Sequence, residues 1–347
     1  MQSSGKNPSE RILMKPQRLN KIRLLGVLIF VVSACSRSTN FPTPSSAPPL
    51  SLTALPTATP FSEILPYTNT PIEISVSATS TPTPQPPIHF AVIGDYGSGD
   101  NNEARVAELV KRLQPDFIVT TGDNNYPIGS ADTIDENIGQ FYHEYISPYH
   151  GEYGKGAVHN LFFPTLGNHD WMSQAAQPYL DYFQLPGNER YYDFTWGVVH
   201  FFMLDSDSNE PDGVGSNSIQ AQWLQNKLQS SPLPWQLVVM HHPPYTSGLR
   251  GAVEWMRWPF QDWGADAILC GHDHFYERLV ENGLVYFING AGGGSLYDFG
   301  EPTEGSQKRF NGEHGAMIVS ADANRLLFQF FSTSGKLIDQ YEIKNPQ

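Results

Sequence analysis

The sequence predicts an α/β protein, a β-sandwich flanked by helices, and three observations predict it. Short apolar runs of strand length recur and stop at glycine-containing turns. Between them lie segments whose apolar residues recur at helical spacing. Residues 316–343 then read as consecutive strands, and strands alternating with helices before a strand-rich end specify sheets covered by helices.

The elements follow in order. Ile88-His89-Phe90-Ala91-Val92-Ile93 is a buried strand ending at Gly94-Asp95. Asp100 and Glu103 are spaced as a capping box, and Val106, Leu109, Val110 and Leu113 follow on one helical face. Residues 117–121 form a second buried strand, ending at Gly122-Asp123. Residues 191–195 and 198–204 make a hairpin, 219–228 a helix, and 236–240 and 267–270 two further strands. Three strands fill 316–343, turning at Asp322-Ala323-Asn324 and Ser334-Gly335-Lys336. The pattern holds no internal repeat and no second globular domain.

The 347 residues suffice for a well-buried core, and 39% are hydrophobic. A net charge of −14 argues against a basic nucleic-acid-binding surface. An anionic substrate would therefore draw its positive charge from elsewhere, and bound metal ions are the obvious source. Two cysteines, Cys35 and Cys270, exclude a disulfide framework. Cys270 ends an apolar run and reads as a small core residue.

The start of the chain has its own logic. Lys6, Arg11, Lys15, Arg18, Lys21 and Arg23 precede an apolar stretch over 24–34, too short to span a bilayer and of signal-peptide length. Val32-Ser33-Ala34-Cys35 resembles a bacterial lipobox, which predicts a signal peptide over 1–34 and lipidation of Cys35. Residues 36–87 hold 12 Pro and 19 Ser or Thr with three charged residues, a composition that cannot form a core and predicts a disordered tether. The expected organisation is thus 1–34 leader, 35–87 lipidated tether and 88–347 catalytic domain. The protein is expected to be exported, to touch a membrane only through its lipid and to work outside the cytoplasm.

Five stretches carry chemistry: Gly94-Asp95-Tyr96-Gly97, Gly122-Asp123-Asn124-Asn125-Tyr126, Gly167-Asn168-His169-Asp170, Val238-Val239-Met240-His241 and Gly271-His272-Asp273-His274. Each follows an apolar run and offers metal-type donors on the loop beyond. Strand ends are rigid, glycine lets the chain turn, and loops at the carboxyl edge of a sheet converge. In this order the five resemble the purple acid phosphatases, within the calcineurin-like metallophosphoesterases, over residues 88 to about 295.

The resemblance implies a calcineurin-like sandwich and two metal ions bridged by Asp123. One ion would be held by Asp95, Asp123, Tyr126 and His274, the other by Asp123, Asn168, His241 and His272. Carboxylate and phenolate suit Fe(III), while imidazole and amide oxygen suit Fe(II), Zn(II) or Mn(II). Tyr126 discriminates, because most calcineurin-like relatives lack that phenolate. Two-metal logic then implies hydrolysis of a phosphate ester by attack of a metal-bound hydroxide. His169 is the candidate for protonating the leaving alkoxide or orienting the phosphate, Asn168 joins it in substrate binding, and Asp170 is placed to hold the His169 imidazole.

The sequence departs from the family where better-known members carry another His some ten residues beyond the Val-x-x-His motif. Here that segment is Thr246-Ser247-Gly248-Leu249-Arg250-Gly251. Arg250 is either a phosphate contact or a solvated loop residue. His242 is expected to point away from His241 on an extended segment. Asn289-Gly290-Ala291-Gly292-Gly293-Gly294 reads as a loop under the site, and Trp255, Trp258 and Trp263 as core or pocket rim. The expected function is an acid phosphatase-like enzyme cleaving small phosphomonoesters at the cell surface. A phosphodiesterase with the same metal site and a non-catalytic surface-binding protein are the alternatives.

Overall fold

The computed structural model of the protein describes residues 86–345. The predicted leader, Cys35 and the tether up to residue 85 lie outside the described residues. Among those described, no helix is long and apolar enough to cross a membrane.

The strands form two sheets. The first runs, in spatial order, β13 (Leu337–Lys344), β12 (Arg325–Ser332), β11 (Gly315–Asp322), β1 (Ile88–Ile93), β2 (Phe117–Thr120) and β3 (Phe162–Phe163). The second runs β10 (Ser306–Phe310), β8 (Tyr276–Glu281), β9 (Leu284–Asn289), β7 (Ala267–Cys270), β6 (Trp235–Val239), β5 (Val199–Met203) and β4 (Tyr192–Trp196). Each sheet has a parallel part: β1-β2-β3 in the first and β5-β6-β7-β9 in the second. The antiparallel β11-β12-β13 meander flanks the former, as the turn signals predict.

Continuous apolar runs become strands buried on both faces because alternate side chains enter different layers. Phe201, Leu237, Val239, Ala267 and Leu269 face the first sheet. Their neighbours Phe202, Val238, Met240, Ile268 and Cys270 face a second apolar layer. That layer is closed by the helix Ile219–Ser230, through Leu224 and Leu228, and by Trp258, Phe260 and Trp263. Cys270 is fully buried there, the small apolar residue its position predicts.

Aromatic rings clamp the sheets together. Phe117 of β2 meets Trp196 and Phe201 of β4 and β5 at centroid separations of 4.6 and 5.5 Å. Phe163 of β3 stacks on Phe194 at 3.8 Å, and Phe90 of β1 meets Phe201 edge-on at 5.0 Å. Such pairs add about 0.5–1.5 kcal/mol each beyond the area they bury. They join the three strands that lead into the first three motifs to the sheet that leads into the other two.

The helix Asn101–Leu113 covers the sandwich through Val106, Leu109 and Val110. Its cap departs slightly from the predicted box. Asp100 Oδ1 accepts from the Asn102 and Glu103 amides at 2.8 and 3.3 Å, but Glu103 Oε2 accepts from Gly99 N at 2.8 Å, not from Asp100 N. The donors at the helix start are satisfied one residue further out than the pattern specifies.

Candidate metal centre

All five motifs lie just beyond carboxyl ends of parallel strands. Asp95 follows β1, Asp123 follows β2, Asn168 follows β3, His241 follows β6, and His272 and His274 follow β7. The crevice is thus shared between the sheets, three loops from one and two from the other. The sharp turns fall mostly on the donors and not on the glycines before them. Asp95, Asp123 and His272 adopt φ of 55, 49 and 69°. A non-glycine residue held there costs on the order of 1–3 kcal/mol and persists only where its surroundings over-determine it.

Those surroundings are the motifs themselves. The Asp95 amide donates to Gly122 O at 3.0 Å, the His272 amide to Asp95 Oδ2 at 2.8 Å, and the His169 amide to Asp123 Oδ1 at 2.9 Å. Of the five motif glycines only Gly122, at φ +91°, needs left-handed backbone. The others leave room. A Cβ on Gly167 would overlap Asp123 N and Oδ1, one on Gly97 would overlap Asn124 O, and one on Gly271 would lie 2.5 Å from Asp95 Oδ2.

Two groups of donor atoms result. In the first, Tyr126 Oη lies 3.3 Å from Asp95 Oδ1 and 3.0 Å from both Asp123 Oδ2 and His274 Nε2. His274 Nε2 is 3.3 Å from Asp95 Oδ1. In the second, Asn168 Oδ1 lies 3.1 Å from His241 Nε2 and 3.0 Å from His272 Nδ1, and those nitrogens are 3.2 Å apart. His241 Nε2 is 3.4 Å from Asp123 Oδ2, the oxygen that also meets Tyr126. Asp123 Oδ2 therefore belongs to both groups. Spacings near 3 Å match the edge between neighbouring ligands about 2.1 Å from a common centre.

The chemistry of the donors fits cations at both places. His241 Nδ1 must donate to Thr121 O at 2.8 Å, which leaves its Nε2 lone pair facing the Asn168 and Asp123 oxygens. His274 Nδ1 donates to Ser295 O at 2.8 Å and turns Nε2 on Asp95 and Tyr126 in the same way. Acceptors aimed at acceptors repel unless a cation or proton stands between them. Burial drives His241 and His272 down to about 3, so both are neutral, the form that ligates. Burial, reinforced by Asp95 and Asp123, raises the Tyr126 phenol well above its ordinary value. Only a strongly Lewis-acidic cation would make it a phenolate. Asp95 and Asp123 are essentially inaccessible, and among the described residues their ion-pair partners are histidines alone.

Two expectations about neighbouring residues, Asp170 and His242, are corrected. Asp170 does not hold His169: its carboxylate accepts from Gly167 N at 2.9 Å and from Asn124 N and Nδ2 at 3.1 and 2.8 Å, tying the third motif to the second. The helical turn Asn168–Trp171 is what directs Asp170 inward and His169 outward. His169 is set instead by Pro127 O, which accepts from Nδ1 at 2.6 Å, and its Nε2 lies 3.9 Å from Asp123 Oδ2. His242 does not point away, because β6 ends at Val239 and the chain bends at His241 and His242. One ring nitrogen each of His241, His242 and His272 lies within 4.8 Å of the other two. Trp258 and Trp263 are core, whereas Trp255 is 45% exposed near His242.

Tyr297 was not anticipated. Its ring stacks on His274 at 4.0 Å and 11°, and Arg250 lies 4.6 Å over it, donating to Tyr297 Oη at 2.7 Å. Arg250, itself exposed, thereby rests on the ring that stacks on His274. Residues 289–294 pass beneath the site as expected: a Cβ on Gly290 or Gly294 would crowd Asp95 or His274.

Fold and donor set together define a two-sheet α/β sandwich built to hold two metal ions. The family model of the calcineurin-like phosphoesterases matches residues 88–276, and the chain belongs to that family. Tartrate-resistant acid phosphatase type 5 of Mus musculus is 26% identical over 246 residues, 60% of this chain and 73% of the relative. Purple acid phosphatase 15 of Arabidopsis thaliana is 29% identical over 246 residues, 60% of this chain and 45% of the relative. Among solved structures, purple acid phosphatase PPD1 of Lupinus luteus superposes with a TM-score of 0.61 at 18% identity, over 75% of this chain and 54% of that one. GAP50, the anchor in the inner membrane complex of Plasmodium, superposes at 0.60 and 20%, over 75% and 90%. The protein is a hydrolase of the acid phosphatase-like metallophosphoesterases, and that family works with dinuclear metal sites.

Gly167→Ala puts a methyl against the Asp123 backbone and carboxylate. The variant is expected to keep its far-ultraviolet circular dichroism but to lose most of its bound metal and activity. Full metal occupancy in the variant would show that the third motif can move without disturbing Asp123.

Proposed function

We propose that the protein hydrolyses small phosphomonoesters at the cell surface, with Fe(III) beside Tyr126 and Fe(II), Zn(II) or Mn(II) beside His241 and His272. The observation that carries this reading is the Tyr126 hydroxyl, within 3.0–3.3 Å of Asp95, Asp123 and His274. A phenol among carboxylates is poorly suited to an ordinary pair of divalent ions and well suited to Fe(III).

Bound there, two ions would supply Lewis-acid polarisation of the phosphoryl oxygens and an acidified water. The chain's own residues supply the rest. Asn168 fixes the amide oxygen between His241 and His272. His169 in its imidazolium form holds one proton toward Pro127 O and the other on Nε2, the nitrogen facing Asp123. Delivered from Nε2, that proton neutralises the leaving alkoxide. Arg250, locked on Tyr297, contacts a phosphoryl oxygen from the rim above His274.

Export and a lipid anchor at Cys35, with residues 35–87 as tether and 88–347 as catalytic domain, belong to the same proposal. The residue pattern of 1–87 supports them. Cys35→Ser is expected to move the protein from the membrane to the soluble fraction without changing turnover. Retention wholly in membranes would overturn the anchor.

His169→Ala should lower kcat by roughly 10²–10⁴-fold with both metals retained, and less for esters with good leaving groups, which need little protonation. An equal loss across leaving groups would assign His169 to orienting the phosphate instead. Tyr126→Phe keeps the ring and removes the donor. The oxidised wild-type protein should show a phenolate-to-iron charge-transfer colour, absent from the variant along with most iron. A colourless, fully metallated wild type holding two divalent ions would sink the iron assignment and leave the hydrolase intact.

A further inference from the structure

We propose that His242 is a substrate-binding residue of this site, donating a hydrogen bond from Nε2 to an oxygen of the bound phosphate, and that Ser206 is the residue that positions it. The inference rests on the phosphoesterase reading above and identifies what stands in for the histidine missing from residues 246–251.

The ring of His242 sits among the imidazoles of the second donor group. Its centroid is 4.9 Å from that of His241 and 4.6 Å from that of His272. Proximity alone makes it an extra ligand candidate, and the hydrogen bonding argues otherwise. Ser206 Oγ is fully buried between two partners on one residue: it lies 2.9 Å from His242 N and 3.0 Å from His242 Nδ1. The backbone amide can only donate, so Oγ accepts there. The hydroxyl proton then has one acceptor among the described residues, the Nδ1 lone pair. With Nδ1 accepting, the proton of a neutral His242 resides on Nε2.

This is the reverse of its neighbours. His241 and His274 donate from Nδ1 to the carbonyls of Thr121 and Ser295 and turn bare Nε2 lone pairs toward the donor groups. His242 carries its N–H on Nε2, the nitrogen that serves as an acceptor in His241 and His274. An N–H repels a cation and binds an anion, so it suits a phosphoryl oxygen and not a metal ion. Nε2 has no protein partner among the described residues, and the residue keeps 6% of its surface open.

The arrangement is also held rigid. Trp255, on the turn Glu254–Met256, donates from Nε1 to Ser206 O at 3.3 Å and lies 6.4 Å from the His242 ring. Ser206 thus connects the loop after β5, the loop after β6 and an exposed tryptophan. His242 then faces the phosphate from the His272 half of the site while Arg250 and Tyr297 face it from the His274 half.

The test compares His242→Ala, His242→Gln and Ser206→Ala with His241→Ala, measuring metal content, inorganic phosphate affinity by calorimetry and competitive inhibition, and the KM-against-kcat split on a monoester. His242→Ala should keep two ions per chain, while His241→Ala loses one. Phosphate affinity in His242→Ala should fall about 10–100-fold, the range for one hydrogen bond to a charged group, with KM raised more than kcat is lowered. His242→Gln restores an N–H at a similar reach and should recover most of the affinity, and Ser206→Ala should fall between wild type and His242→Ala.

Loss of an ion in His242→Ala or His242→Gln would make the residue a ligand and overturn the proposal. Unchanged phosphate affinity with both ions present would overturn it too, as would equal loss in the Gln and Ala variants. If His242→Ala fails to fold, the Gln and Ser206→Ala variants decide on the same measurements. A wild-type protein that binds phosphate through His242 yet cleaves no phosphate ester would sink the phosphatase reading alone.

Discussion

The constraint on which the structure depends is the burial of the Asp95 and Asp123 carboxylates with no lysine or arginine among their described ion-pair partners. Removing a carboxylate from water is expensive, and the usual remedies are a paired cation or a captured proton. Neutral, buried His241 is no remedy, because its free lone pair adds to the repulsion. Two metal cations meet the requirement at one stroke, and the backbone is arranged around that. Asp95, Asp123 and His272 stay in left-handed conformations because each amide or carboxylate is tied to another motif.

Bringing donors from two sheets to one crevice needs those sheets in fixed register. The period-two alternation of β5, β6 and β7 sends half their side chains to the aromatic contact with the first sheet and half to the outer layer. A slip of one residue would exchange these sets, so the apolar pattern fixes where each strand ends. The ends are where Asp123, His241 and His272 leave the sheets, and core packing therefore sets donor geometry. Gly97 and Gly167 complete the link, since the loops they occupy pass too close to Asn124 and Asp123 for any Cβ.

Elements with strong local signals were legible in the sequence. The amphipathic helix after Asp100, the β4–β5 hairpin, the strand ending at Cys270 and the final meander all stand where periodicity and turn residues put them. The β8–β9 hairpin is absent from the sequence reading although Asn282-Gly283 signals it, and both residues take positive φ as such a tight turn requires. The donor residues were legible as a set because each follows a strand. What could not be read was side-chain direction beyond the strand ends. Asp170 and His169 diverge because a single helical turn separates them, and His242 faces the site because the chain bends where an extended run would have turned it away. Tyr297 lies beyond the Gly-rich loop, and no local pattern announces that it stacks on His274.

The segment that departs from the family pattern is as firmly anchored as the motifs. Thr246 donates to Asp273, the residue between the two ligand-type histidines of the fifth motif, at 2.7 Å. The Ser247 amide and hydroxyl both donate to Glu277 on β8, which also accepts from Ser306. Glu277 is fully buried, so the loop is fastened to the strand that continues from His272 and His274. Arg250 follows only three residues after Ser247 and is pinned again on Tyr297. Arg250 is itself exposed, with an aromatic ring under its guanidinium and two buried carboxylates, Asp273 and Glu277, beneath its loop. The same stretch of sequence that lacks the expected histidine has been given the rigidity that a binding residue requires.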